Sequence, residues 1–201
     1  MIRKLNVAVS DRYSILKKKA MYELPWTYVP ATCNPDETND HQDIPQFVHT
    51  IIARPYGDNP YPAVVDNKNH MLATNVVRDI LRANGVKMGC SFRLSINMLV
   101  TVDPNNSWGA RHVDHGFPHK NLLIYFNKPK TGGNLRVWEN TYRVNEPRPI
   151  WGEYEEYQIE EDGAVMFDGW NYHQGQGPTT FNDRRVFMIA TFTEDQYAYA
   201  T

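Results

Sequence analysis

The sequence predicts a mainly β protein, a sandwich or double-sheet jelly roll, with supporting helices confined to its N-terminal part. Three observations predict it. From Ser91 onward, short apolar runs recur at regular spacing, with turn residues between them. The two segments with helical periodicity both precede that point. Helices and strands do not alternate, which argues against a doubly wound parallel sheet.

The first helix is expected over residues 10–24, with Ser10 as its N-cap and Pro25 just beyond its end. Residues 31–46 (ATCNPDETNDHQDIPQ) are polar and carry two prolines, so they read as a loop or flap. Residues 55–62 form a second stretch of turn chemistry. The second helix is expected over residues 68–84. Met71, Leu72, Val76, Val77, Ile80 and Leu81 follow the spacing of one buried face, and Gly85 stands where a C-terminal cap belongs. Strands are expected over residues 92–102, 122–127, 134–138, 154–159, 164–167 and 185–192. The turns Asp103-Pro104-Asn105-Asn106, Thr131-Gly132-Gly133 and Glu161-Asp162-Gly163 separate several of them. The expectation is one domain over 1–201, with 1–90 as helical support and flap and 91–193 as the jelly-roll core.

Composition narrows the class. The chain has 201 residues, 41% of them apolar and 12% aromatic, too apolar and aromatic for a disordered chain. A chain of this length buries roughly 70% of its unfolded surface, enough for a core without staples. No apolar run approaches the roughly 20 residues that cross a bilayer. The start, Met1 to Asn6, lacks the apolar stretch of a secretion signal. The two cysteines, Cys33 and Cys90, form no CxxC motif. A reduced, cytoplasmic chain is therefore expected. Lys and Arg number 21 against 23 Asp and Glu, a formal charge of −2. That balance gives no global attraction to nucleic acid or to an anionic membrane.

Four of the seven histidines fall between positions 112 and 173. His112-Val113-Asp114 places two ligand-type side chains two residues apart, and on an extended strand such residues share a face. His173, 59 residues after Asp114 (173 − 114), is the natural third member. Two imidazoles and one carboxylate on one face of a metal form the facial triad of non-haem Fe(II) oxygenases. An HxD pair is also a common surface hydrogen-bonding pair, so the surroundings decide. Arg184-Arg185 opens the strand RVFMIATF. A guanidinium can clamp a carboxylate through two parallel hydrogen bonds. Only one of the two arginines can face inward, because strand neighbours alternate. Both in a solvated turn is the alternative.

The run RHVDH, LLIYFN, GGNLRVWE, DGAVMFDGWNYH, RRVFMIATF, in that order, resembles the 2-oxoglutarate and Fe(II)-dependent dioxygenase superfamily, most closely its prolyl-hydroxylase branch. The resemblance covers roughly residues 92–192. It implies a cupin-like double-stranded β-helix with the N-terminal helices packed on one sheet. It implies His112, Asp114 and His173 as iron ligands. Arg185 would anchor the distal carboxylate of 2-oxoglutarate, with Arg184 as the alternative one residue earlier. Tyr125 matches a tyrosine that binds the same carboxylate, and its alternative is a core tyrosine. Gly132 and Gly133 match a structural turn. Dioxygen would be the second co-substrate and ascorbate an accessory.

The implied activity is hydroxylation of an unactivated C–H bond, of a prolyl or other peptide residue, or else of a free amino acid or other small molecule. An aspartate at position 114 favours hydroxylation over halogenation, because related halogenases carry a small residue there. Nucleic-acid demethylases of the superfamily add a second arginine six residues after the anchor. Ala190 and Thr191 stand there instead. A catalytically silent jelly-roll binding module and a cupin-type protein using another metal are the rivals. Of the remaining histidines, His115 and His119 are expected in loops at the cavity mouth. His41, His49 and His70 are expected in surface or ordinary polar contacts. Residues 143–154 read as a substrate-side or solvated loop. Trp108, Trp138 and Trp170 would line a substrate cleft or fill the core.

Overall fold

Helix α1 (Asp11–Tyr22) begins where the sequence places its cap: the Ser10 hydroxyl accepts the Tyr13 N–H at 3.2 Å. The helix ends as Glu23 and Leu24 donate back to the Lys19 carbonyl, just before Pro25. It buries Tyr13, Leu16 and Ala20. The computed structural model describes residues 1–31, 43–55, 61–141 and 151–195. Most of the expected flap, the centre of the 55–62 turn and most of the 143–154 loop lie outside the described residues, as do Cys33 and His41. Helix α2 (Asn67–Ala83) is capped by Asp66, whose carboxylate accepts the Lys68 and Asn69 N–H groups. It is released at Gly85, which takes φ +71°. Its buried apolar residues are Ala73, Val76, Val77, Ile80 and Leu81. Met71, expected on that face, is 61% exposed, because two residues from Ala73 is about 200° around the helix.

Eleven strands form two antiparallel sheets among the described residues. They are β1 (Arg3–Leu5), β2 (Thr27–Val29), β3 (Gln46–Ala53), β4 (Ala63–Val64), β5 (Met88–Val100), β6 (Lys120–Tyr125), β7 (Leu135–Thr141), β8 (Tyr154–Tyr157), β9 (Ala164–Asp168), β10 (Asn171–Gly175) and β11 (Arg184–Glu194). The larger sheet runs β1-β9-β6-β11-β5-β3-β2, with β4 on β3; the smaller runs β10-β7-β8. Alternation sorts the side chains of the central strands. Leu122 and Ile124 of β6, Val186, Met188 and Ala190 of β11, and Leu94 and Ile96 of β5 pack in one cluster with both helices. Leu123, Tyr125, Phe187, Ile189 and Leu99 point the other way, against Leu135, Val137 and Tyr157 of the smaller sheet. This is the expected jelly roll, with the helices on one sheet and the site between the two sheets.

The structure departs from the sequence reading at three places. Residues before 91 are more than helical support and flap: they supply β1 to β4, and β3 and β2 extend the larger sheet beyond β5. The sequence signal of β3 is weak because His49 and Thr50 interrupt its apolar run and its partner lies far along the chain. Strand β10 was not expected, since Asn171, His173 and Gln174 are polar yet buried. Residues 112–114 are not on a regular strand: His112 makes a single antiparallel bridge to His173, and Asp114 lies at a bend. No helix among the described residues is long and apolar enough to cross a membrane.

Candidate metal centre

The bridge between His112 and His173 builds the site. Each backbone N–H donates to the other residue's carbonyl, at 3.0 and 2.9 Å, so the two imidazoles are held side by side with centroids 4.3 Å apart. Each ring is then turned by its own Nδ1, which lies 3.0 Å from the Ala110 carbonyl in His112 and 3.1 Å from the Asn171 carbonyl in His173. A carbonyl only accepts, so Nδ1 carries the proton in both rings. Nε2 is left as a lone pair, the tautomer a metal ligand needs. The bend after Val113 brings Asp114 to the same point. One ligand atom from each of His112, Asp114 and His173 lies within 4.8 Å of the others.

Asp114 is 6% exposed. One oxygen accepts from Arg93 Nη1 at 2.9 Å, and the other accepts from Asn121 Nδ2 at 2.7 Å and lies 3.3 Å from His173 Nε2. Burial works to raise its pKa, but the His173 contact and the Arg93 guanidinium outweigh it and hold the carboxyl well below the usual range. Burial and the neighbouring His112 pull His173 down, against the opposing pull of Asp114. The carboxylate of Asp114 is thus held in its charged form beside the two imidazoles.

These three residues line a cavity of about 70 Å³ with Gln46, Arg93, Asn97, Arg185 and the apolar Leu99, Leu123, Leu135, Phe187 and Ile189. Strand alternation settles which arginine enters it. Arg185 shares the inward face with Phe187 and is 1% exposed. Arg184 faces the other way, its guanidinium 5.8 Å from the Tyr22 ring centroid. Arg185 donates to the Gln176 carbonyl at 3.0 Å and lies 3.5 Å from the Tyr125 hydroxyl. Its Nε has no hydrogen-bond partner, and no carboxylate among the described residues pairs with it. A buried cation with only neutral partners is costly. Burial pushes its pKa down and that of Tyr125 up. Two imidazoles and a carboxylate suit Fe(II), and a buried guanidinium with no carboxylate partner among the described residues suits an anion. The residues therefore fit an iron ion with a carboxylate co-substrate.

Two polar residues that hold Asp114 escaped the sequence reading. Arg93 stands midway along β5, where Arg93, Ser95 and Asn97 alternate with Leu94, Ile96 and Met98. That period-2 polarity was the available signal. Asn121, fully buried opposite Thr191, carried no local signal. His115 and His119 are not at the rim. They are 8% and 3% exposed, His115 bonds Thr191 Oγ1 at 2.8 Å, and burial lowers its pKa to about 4. His49 bridges the Pro25 carbonyl and Asp66, an ordinary polar contact. Trp138 packs on Trp151 and Tyr154, and Trp108 under Arg136; neither lines the cavity.

Neither a protein-family profile nor a curated protein sequence matches this chain. Solved structures do. An oxidoreductase of the 2OG-Fe(II) oxygenase family from Burkholderia pseudomallei matches with a TM-score of 0.67 and 14% identity, over 96% of this chain and 84% of its own. A prolyl hydroxylase from Trichoplax adhaerens, in complex with a hypoxia inducible factor oxygen degradation domain peptide fragment, matches with a TM-score of 0.55 and 11% identity, over 95% and 83%. The epimerase SnoN, in complex with Fe3+, alpha ketoglutarate and nogalamycin RO, matches with a TM-score of 0.57 and 8% identity, over 96% and 78%. The chain has the jelly-roll fold of these proteins. That fold serves a peptide in one of them and a small molecule in another, so the substrate is a matter of the site.

Proposed function

We propose that the chain is a 2-oxoglutarate-dependent Fe(II) dioxygenase that hydroxylates an unactivated C–H bond, of a prolyl or other peptide residue. The observation that carries this reading is the pairing, in one cavity, of the His112–Asp114–His173 cluster with a buried arginine that has no carboxylate partner among the described residues. His112, Asp114 and His173 would hold the iron, which with 2-oxoglutarate and dioxygen supplies the oxidation of an unreactive C–H bond. The carbonyls of Ala110 and Asn171 keep both imidazoles in the ligating tautomer. Asn121 and Arg93 orient the carboxylate. Arg185, backed by the Tyr125 hydroxyl and with its Nε lacking a hydrogen-bond partner, would take the far carboxylate of 2-oxoglutarate. Leu123, Leu135, Phe187 and Ile189 keep water from the space between.

The test is direct. Protein purified without chelator and given Fe(II) and 2-oxoglutarate in air is expected to produce succinate, and anaerobic titration is expected to show 2-oxoglutarate binding. Absence of both would sink the reading and leave the silent binding module. His112→Ala and Asp114→Ala are each expected to lose iron binding.

A further inference from the structure

Arg185 does not meet the cavity alone. Phe187, two residues on, pairs with Asn97 of β5 on one side and with Tyr125 of β6 on the other, so the three form one row across the inward face. The Arg185 guanidinium leans over this row, 4.5 Å from the Phe187 ring centroid and 5.2 Å from that of Tyr125. It has little freedom there. Its Nη1 donates to the Gln176 carbonyl at 3.0 Å, and a Cβ on Gly175, which also lines the cavity, would lie 3.1 Å from the same nitrogen.

Gln46 reaches the same row from the opposite side. Phe47 pairs with Met98, so Gln46, one residue earlier on β3, stands level with Leu99 and hence with Arg185, which pairs with Leu99. The two backbones are two strands apart, about 10 Å at strand spacing, far enough for a carboxylate to lie between the two heads. The Gln46 head is held in place. Its Oε1 accepts from Asn97 Nδ2 at 2.8 Å, and Asn97 Oδ1 accepts from the Ser95 hydroxyl at 2.8 Å. All three residues are buried, and Gln46 and Asn97 line the cavity. The relay occupies the acceptor of each amide. It ends on Gln46 Nε2, a donor with no hydrogen-bond partner among the described residues.

A carboxylate accounts for this arrangement. It offers about four acceptor sites. The edge of a guanidinium fills two of them. The Tyr125 hydroxyl accepts from Arg185 and keeps its own O–H for a third. Between leucine, isoleucine and phenylalanine side chains, a fourth site left empty costs free energy. A neutral donor fills it without adding charge. A carboxylate only accepts, so it also keeps the relay in the sense that ends on N–H.

We infer that Gln46 is a binding residue for the co-substrate, its Nε2 donating to the distal carboxylate of 2-oxoglutarate across Phe187 from Arg185. This rests on the oxygenase reading and deepens it.

Zn(II)-loaded protein is redox-silent, so binding can be read by calorimetry without turnover. The probes are 2-oxoglutarate and 2-oxopentanoate, which has the same keto-acid end and carbon chain but a methyl in place of the distal carboxylate. Gln46→Met is expected to weaken 2-oxoglutarate about tenfold or more, as loss of a buried charge-assisted hydrogen bond requires, and to change 2-oxopentanoate less than about threefold. Gln46→Glu is isosteric and turns the donor into an anion. It is expected to weaken 2-oxoglutarate at least as much, with the same selectivity, and it decides the question if circular dichroism shows the methionine variant unfolded. A purely structural Gln46 would cost both ligands alike. Equal losses for the two ligands, or no loss for 2-oxoglutarate, overturn the inference and leave the oxygenase reading standing. Failure of the zinc-loaded wild type to bind 2-oxoglutarate takes down both.

Discussion

Replacing Arg185 by methionine is expected to stabilise the metal-free protein while destroying its response to 2-oxoglutarate. The guanidinium is 1% exposed and has a carbonyl and a phenol as its hydrogen-bond partners, with Nε unpaired. Burying an ion costs several kcal/mol, and neutral partners return only part of it. Exchange for an apolar side chain of similar length is neutral to stabilising, by about 1–2 kcal/mol here. For a chain of this size each kcal/mol moves Tm by about 2–4 °C, so a rise of up to about 8 °C is the upper expectation. The wild type should gain about 2.7 kcal/mol from 2-oxoglutarate at a hundredfold excess over Kd, with Zn(II) present, and the variant should gain nothing. Thermal melts followed by circular dichroism, with and without Zn(II) and 2-oxoglutarate, read both effects. A variant destabilised by more than about 2 kcal/mol would show that Arg185 is a satisfied structural residue. A variant that keeps the 2-oxoglutarate shift would refute the anchor assignment outright.

Three further outcomes are expected. Arg184→Ala should leave 2-oxoglutarate affinity within about threefold of wild type in an anaerobic titration, because its guanidinium lies by Tyr22 on the helix side of the sheet. Asp66→Asn should cost about 1 kcal/mol in urea melts at pH 6, since it weakens the cap of α2 and the contact with His49. Burial raises the Asp66 pKa, but bonds from Asn69 and His49 outweigh it and leave it depressed. The contribution is therefore complete above the unfolded value near 3.9 and is lost as pH falls through the lower folded one, so the gap between the two proteins should narrow below about pH 4. Gly132→Ala should destabilise by about 1–3 kcal/mol in the same melts. Gly132 takes φ +75°, and a Cβ there would lie 2.7 Å from the Gly177 carbonyl oxygen.

Much of this architecture is local, and local features are legible. Ser10, Pro25 and Gly85 delimit the helices because capping and φ preference act within a few residues. The six expected strands all appear, with ends shifted by a few residues, because alternation reports burial directly. Pairing partners are another matter. Strand β3 joins β5 across more than forty positions, and only after that pairing do Gln46 and Asn97 meet. The expectation that His112 and Asp114 share the face of a strand names the right neighbours by the wrong geometry. A bend and a bridge to His173 bring them together.

The order and kind of the residues determined by themselves that this chain would fold as a jelly roll with helices on one side. They also determined that two histidines, an aspartate and an arginine were its chemically conspicuous groups. Which of two adjacent arginines enters the cavity followed only from the register of β11, since alternation without a fixed reference face leaves both open. That Arg93 shares Asp114 with the histidines, and that His115 and His119 are buried, depended on strands closing over one another. Spacing along a chain carries helical and strand periodicity; the meeting of charges from distant strands is fixed only when the sheets pack.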